Sequence, residues 1–266
     1  MDFTLNKYRR LLDALRRNGY QTITFTEYLE GVRPERFVIL RHDVDKLPLN
    51  SLATARIEKE ADMKASYYFR AVPESWDEGV IREIASSGHE VGYHYESLTT
   101  CKGDMDAAYR DFENNLMTLR QLVPVRTICM HGSPRSPYDS RKLWEEKDYR
   151  NLGILGEPYF DVDFFVVFYL TDTGRRWDGF KVSVRDKIES HQDNWRNEGL
   201  VFHTTDEIIR ALDIGRFPSQ VMITTHPQRW TNSPIPWIKE FLWQNVKNLL
   251  KIIIIGFRAE PAAGKK

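Results

Sequence analysis

This sequence predicts an α/β fold, a barrel of about seven parallel strands, on three observations. Short apolar runs alternate with stretches of helical spacing along most of the chain, the pattern of a parallel sheet with helices outside it. Most of those runs finish in a charged or imidazole side chain, and a barrel gathers such strand ends on one rim, where its sites lie. No G-x-G-x-x-G follows any run, which removes the main support for an open, doubly wound sheet built around a dinucleotide.

The first twenty residues, "MDFTLNKYRRLLDALRRNGY", have no apolar core of signal-peptide type. They read as an amphipathic helix with Tyr8, Leu11, Leu12 and Leu15 on one face. Phe37–Leu40 is the first strand, followed by a helix near Leu49–Asp62. Ala65–Ala71 precedes a helix over Asp77–Ser87, and His89–His94 precedes a long one near Asp104–Leu122. Arg126–His131 precedes Ser140–Glu146. Phe164–Leu170 and Leu200–Thr204 are the next strands, and Thr204-Thr205-Asp206-Glu207 makes a capping box for the helix after them. Gln220–His226 is the last strand before a C-terminal helix. No repeat, low-complexity tract or long linker divides the chain. We therefore expect one domain over 1–266, with the N-terminal helix 1–20 and a C-terminal helix about 234–256 as additions.

Lys plus Arg and Asp plus Glu balance at 38 each, so no global field draws the chain to nucleic acid. Cys101 and Cys129 stand far apart in no C-x-x-C pattern. That argues against a disulfide framework or a thiolate zinc site and fits a reducing compartment. No segment reaches the length of apolar sequence that spans a bilayer. A cytoplasmic location is the expectation, extending to the inner membrane surface if the C-terminal helix contacts lipid. Aromatics make up 12% of the chain, with seven Trp and twelve Tyr. They fill a core or line a cleft that stacks on sugar rings, and composition leaves both readings open.

The stretch "FVILRHDVD", Phe37 to Asp45, carries the first chemical signal. Side chains alternate along a strand, so Arg41, Asp43 and Asp45 share one face. Two carboxylates at that spacing repel unless a cation or a proton lies between them. The plain alternative is that the strand has ended and both are solvated turn formers. Of seven histidines, four close expected strands: His94, His131, His203 and His226. Imidazoles and a carboxylate converging on one rim are what a catalytic Zn²⁺ prefers.

"RHDVD", "GHEVGYH", "DTGRRW" and "THP" stand in the order of the motifs of the polysaccharide deacetylases, the NodB-homology family, and Phe37 to Pro227 resembles that family. The resemblance implies a distorted (β/α) barrel, a bound divalent metal, usually Zn²⁺, and hydrolysis of N- or O-acetyl groups on carbohydrates. It implies Asp43 as catalytic base, Asp45 as metal ligand and His94 as a second ligand. The other metal histidine of the family falls at Leu98, which cannot bind a metal. His89 lies five positions before His94 and points to the opposite face. His131, at the end of the next strand, is preferred for the missing ligand over Glu96.

The family has an Arg that holds the catalytic Asp. Arg135 in "PRSPYDS" resembles it loosely or is a loop cation, and Arg41, on the face of Asp43, either takes that role or forms an ordinary ion pair below the site. Asp172 to Trp177 resembles a turn whose Trp walls the acetyl pocket, against a reading of Asp172 as a turn cap and Trp177 as core. His226 in "ITTHP" matches the general acid. His203 is expected to make a structural hydrogen bond, His42 to face away from Asp43, and His191 to lie outside the chemistry.

The resulting expectation is a metal-dependent hydrolase that removes acetyl groups, from an amide or an ester, on a carbohydrate or sugar-containing precursor. Two other readings stay beside it: a sugar-binding or regulatory protein on a retired scaffold, and a metal hydrolase of another amide. A serine hydrolase using Ser133 or Ser136 lacks the G-x-S-x-G elbow. In "FLWQNVKNLLKIIIIGFR", Leu242, Val246, Leu249, Leu250 and Ile253 share a helical face with lysines around it. That helix either closes the barrel or lies at a membrane surface as a peripheral contact.

Overall fold

A computed structural model describes residues 1–133, 136–178 and 188–259. The strands in chain order are β1 (Gln21–Ile23), β2 (Phe37–Val44), β3 (Ser66–Phe69), β4 (Glu90–Tyr95), β5 (Ile128–Met130), β6 (Phe168–Thr171) and β7 (Gln220–Thr225). The helices are α1 (Leu5–Arg17), α2 (Phe25–Leu29), α3 (Pro48–Glu60), α4 (Glu78–Ser86), α5 (Ser97–Thr100), α6 (Met105–Arg120), α7 (Leu143–Glu146), α8 (Pro158–Asp161), α9 (Glu189–Asn197), α10 (Thr205–Asp213) and α11 (Pro234–Ala259).

Among the described residues seven strands pair in parallel, in the order β5-β4-β3-β2-β7-β6, with β1 beside the first half of β2. The sheet is a curled half-barrel with helices outside it, in keeping with a distorted (β/α) barrel. Strand β2 is its axis. All eight of its residues are buried, as expected of a parallel strand covered on both faces. It meets β7 along Phe37–His42 and β3 along Arg41–Val44, so its C-terminal end lies inside the rim.

Two expected elements differ. Leu200–Thr204 is no strand. Gly199 takes a positive φ after α9, and Thr204 caps α10 by accepting from Glu207 N, so the residues between two helix ends have no length for a strand. Glu207 reaches His203 N at 2.6 Å instead of closing a capping box on Thr204. The seventh strand is β1, too short to leave a periodic apolar signal. The apolar run Phe164–Leu170 is also split: Asp163 caps a turn through Phe165 N, leaving Phe165 and Val166 exposed, and the strand begins at Phe168.

One glycine sets the floor of the site. The ring of Tyr68 (β3) lies against Gly92 (β4), and a Cβ there would also sit 2.9 Å from Thr127 O. Tyr68 is fully buried, with its hydroxyl 3.1 Å from Thr127 Oγ1. Gly92→Ala should therefore lower stability by about 1–3 kcal/mol, as overpacking does. Urea unfolding of the variant checks this, and an unchanged midpoint would contradict it.

Among the described residues, no helix is long and apolar enough to cross a membrane.

Candidate metal and hydrolytic site

The rim of β2 gathers most of the residues expected there. Arg41 and Asp43 point inward and His42 outward, as strand alternation requires. Arg41 grips Asp43 with both arms, Nε to Oδ1 at 2.9 Å and Nη2 to Oδ2 at 2.6 Å, and both side chains are almost fully buried. The fork geometry suits a carboxylate. The guanidinium also lies over the rings of Tyr159 and Tyr169. Burial alone would raise the Asp43 carboxyl, but Arg41 and then His94 outweigh it and hold it below its usual range.

Asp45 follows the strand. Its N–H folds back to Asp43 O at 3.1 Å, which brings the second carboxylate beside the first. Oδ2 accepts from Gln228 Nε2 at 3.0 Å, and Oδ1 is buried with no hydrogen-bond partner. Facing Oδ1 are His131 Nε2 at 3.4 Å and His94 Nε2 at 3.7 Å. These separations are long for hydrogen bonds. They are close to the distance of about 3.4 Å between two ligand atoms that each lie near 2.1 Å from a tetrahedral zinc.

Each histidine is oriented through its other nitrogen. His94 Nδ1 meets Cys129 O on the neighbouring strand at 2.9 Å. A carbonyl only accepts, so Nδ1 carries the proton and Nε2 keeps its lone pair toward the acids. Burial, against the pull of Asp43, lowers the His94 imidazole to about 4, so it is neutral near pH 7. His131 Nδ1 meets Glu96 Oε2 at 2.9 Å, while Arg70 Nε holds Glu96 Oε1 at 2.8 Å. Burial opposes ionisation of Glu96, but His131 and Arg70 bring its carboxyl down to about 2. Glu96 is thus committed to orienting His131, in the way outer carboxylates orient metal-binding histidines. Leu98 is a core residue of α5.

Arg135 lies outside the described residues. Asp172, fully buried at the end of β6, accepts from His226 N at 3.0 Å and Trp230 Nε1 at 2.8 Å through Oδ2. Its Oδ1 is 2.6 Å from both His226 Nδ1 and Arg229 Nη1. Arg229 Nη1 also lies 2.8 Å from His226 Nδ1, a contact that is a hydrogen bond only if that nitrogen is unprotonated. The short approach to an ionised carboxylate favours Nδ1–H donating to Asp172, which leaves Nε2 free. Burial and Arg229 work against a charged His226, but Asp172 and Asp45 outweigh them and raise its imidazole above the usual value. Asp172 is therefore a buried acceptor for four donors rather than a simple turn cap.

Trp177 is 2% exposed, packs against Phe3 and Trp230, and gives its indole N–H to Thr205 Oγ1 at 2.9 Å. The structure places it in the core. His203 pairs with Asp178 on a surface loop, and His42 and His89 turn to the other face toward Glu58, as alternation predicted.

Sequence reasoning missed Gln228, Arg229 and Trp230. They continue "THP" directly, as "THPQRW", in a short 3-10 turn, and three polar side chains after a rim histidine were the available signal. Two sets of described residues group as candidate metal ligands: Asp45, His94 and His131, and Asp43, His94 and Cys129. The first fits a divalent ion better. Its carboxylate has an unused buried oxygen, whereas a metal on Asp43 would lie against the Arg41 guanidinium.

No protein-family model matches this sequence, and no curated protein matches it. Solved structures do. A family 4 carbohydrate esterase from Bacillus anthracis is 12% identical, with 90% of this chain and 84% of that one covered and a TM-score of 0.39. PdaA of Bacillus subtilis, also a family 4 carbohydrate esterase, is 10% identical over 88% and 82%, at 0.39. A family 4 pseudoenzyme from Bacillus anthracis is 13% identical over 81% of this chain and 65% of its own, at 0.40.

Proposed function

We propose that this chain is a metal-dependent hydrolase that removes acetyl groups, from a C–N amide or an ester, on a carbohydrate or sugar-containing precursor. The observation that carries this reading is the convergence of His94 Nε2, His131 Nε2 and the partnerless Asp45 Oδ1, each imidazole fixed at its far nitrogen. A divalent ion held there, zinc by donor type, would act as a Lewis acid on the acetyl carbonyl and make water more acidic. Asp43, held in plane by Arg41, takes the proton of the attacking water. His226, fixed by Asp172 and carrying a raised proton affinity, gives a proton from Nε2 to the departing nitrogen or oxygen. The Asp43 carboxyl is held down and the His226 imidazole is raised, the directions that suit a base and an acid at the start of a turnover.

The test is acetate release from a panel of acetylated sugars and simple amides, with and without zinc. Asp43→Asn should lower turnover by roughly a hundredfold or more, the usual scale for a general base, with zinc affinity nearly unchanged. Equal loss of zinc in this variant would show that base and ligand are exchanged. One observation favours a second reading: Leu98, where the resemblance places a metal histidine, is buried in the core and offers no ligand, as it would in a retired, sugar-binding site. Zinc and sugar binding without acetate release from any substrate would decide for it.

A further inference from the structure

Helix α11 packs on the body with its polar side inward. Gln244 is 4% exposed, Asn248 Nδ2 donates to Gly174 O at 2.8 Å, and Glu240 meets Lys46 at 3.5 Å. Trp237 donates its indole N–H to Asp2 O and lies under the Arg175 guanidinium. The opposite side carries Ile235, Ile238, Leu242, Val246 and Leu249, at steps of three and four residues that make one stripe. All five are exposed, from Val246 at 49% to Ile235 at 78%. An ordinary surface helix turns its apolar stripe to the core and its polar side to water. The reading in which this helix closes the barrel is not met for Leu242, Val246 and Leu249, and the side chains of Leu250 and Ile253 lie outside the described residues.

We propose that this stripe lies in the headgroup region of an anionic lipid surface, so that α11 is a peripheral membrane anchor. Charge favours lipid over a neutral partner. Within residues 234–249 the one carboxylate, Glu240, is turned in toward Lys46, so the outward side offers no negative charge. Lys239 and Lys247 flank the stripe, and Lys247 lies over the ring of half-exposed Trp243. Tryptophan and lysine at the edge of an apolar stripe suit the headgroup level, where an amphipathic ring and a flexible cation are both accommodated. Leu47 and Leu49, 52% and 67% exposed, follow Lys46, which meets Glu240 of the helix.

The helix also braces two loops of the candidate site. Lys46 directly follows Asp45, and Gly174 and Arg175 follow Asp172. Docking would therefore hold the rim of the half-barrel beside the lipid headgroups. The inference stands apart from the hydrolase reading, because it needs neither a metal nor a reaction.

The experiment is sedimentation of the full chain with two kinds of vesicle, phosphatidylcholine alone and an equal mixture with phosphatidylglycerol, together with light scattering of the protein alone. The wild type should bind the mixed vesicles at least tenfold more tightly than the neutral ones, less so at high salt. The double variant L242D/V246D should keep the wild-type melting temperature, since both side chains face water, and lose vesicle binding by more than about tenfold for each apolar side chain removed from contact. Equal sedimentation of the double variant, or no binding of the wild type to either vesicle, overturns the proposal. A wild-type dimer that the same substitutions convert to monomer, without vesicle binding, assigns the stripe to a second copy of this chain instead.

Discussion

Asp45→Ala, His94→Ala and His131→Ala should each reduce zinc affinity by more than the roughly 10–100-fold that loss of an outer orienting partner costs. Glu96→Ala should fall within that smaller range. The ordering follows from the geometry. Asp45 Oδ1 faces His131 Nε2 at 3.4 Å and His94 Nε2 at 3.7 Å, while both Glu96 oxygens are spent on His131 and Arg70. Titration of zinc against a competing chelator, with the four variants side by side, reads this directly. A His131→Ala protein that binds zinc as tightly as the wild type removes His131 from the ligand set and returns the question to Glu96 or Cys129.

The largest effect on stability is expected on the other face of β2. Glu58 is completely buried there, with Oε1 accepting from Tyr8 at 2.5 Å and facing His42 Nε2 at 2.6 Å, and Oε2 accepting from Tyr67 at 2.6 Å. His89 Nδ1 lies 3.6 Å from Oε2. This carboxylate joins α1, α3, β2 and β3. Glu58→Ala leaves two hydroxyls and an imidazole buried without their acceptor, a loss of about 3–5 kcal/mol. Burial would raise the Glu58 carboxyl, but His42 outweighs it and holds it below its ordinary value. A carboxyl depressed on folding stabilises above its unfolded value of about 4.3, and that contribution is lost as pH falls below it. Wild-type stability should therefore decline on acidification below about pH 4.3 more steeply than that of Glu58→Gln. Parallel declines would mean that Glu58 does not carry the effect.

Much of this arrangement was legible in the sequence, for reasons that differ by element. Strand β2 was readable because a parallel strand buried on both faces is a continuous apolar run, and its abrupt end in Arg41, Asp43 and Asp45 marked a rim. The opposite facing of His42 and Asp43, and of His89 and His94, followed from alternation alone. Strand β1 was not readable, because three residues show no period. Leu200–Thr204 misled because an apolar run between two helices looks like a strand until the caps at Gly199 and Thr204 are counted.

The site was legible as a set of residue types and less so as a network. Spacing shows that Leu98 breaks the expected ligand pair, but not that His131 is fixed by Glu96, since that contact needs β4 and β5 side by side. Gln228 and Trp230 belong to the site through Asp45 and Asp172, just past the ends of β2 and β6 and distant in sequence. The question raised by two carboxylates one residue apart also resolves in two parts. Arg41 neutralises Asp43, and only Asp45 is left with a bare oxygen facing imidazoles.

The most direct measurement is an anomalous difference map at the zinc edge from crystals of the zinc-loaded protein. The account predicts one strong peak bounded by Asp45 Oδ1, His94 Nε2 and His131 Nε2, with Arg41 still paired to Asp43. A peak on Asp43 and Cys129, or none within reach of His131, would contradict it.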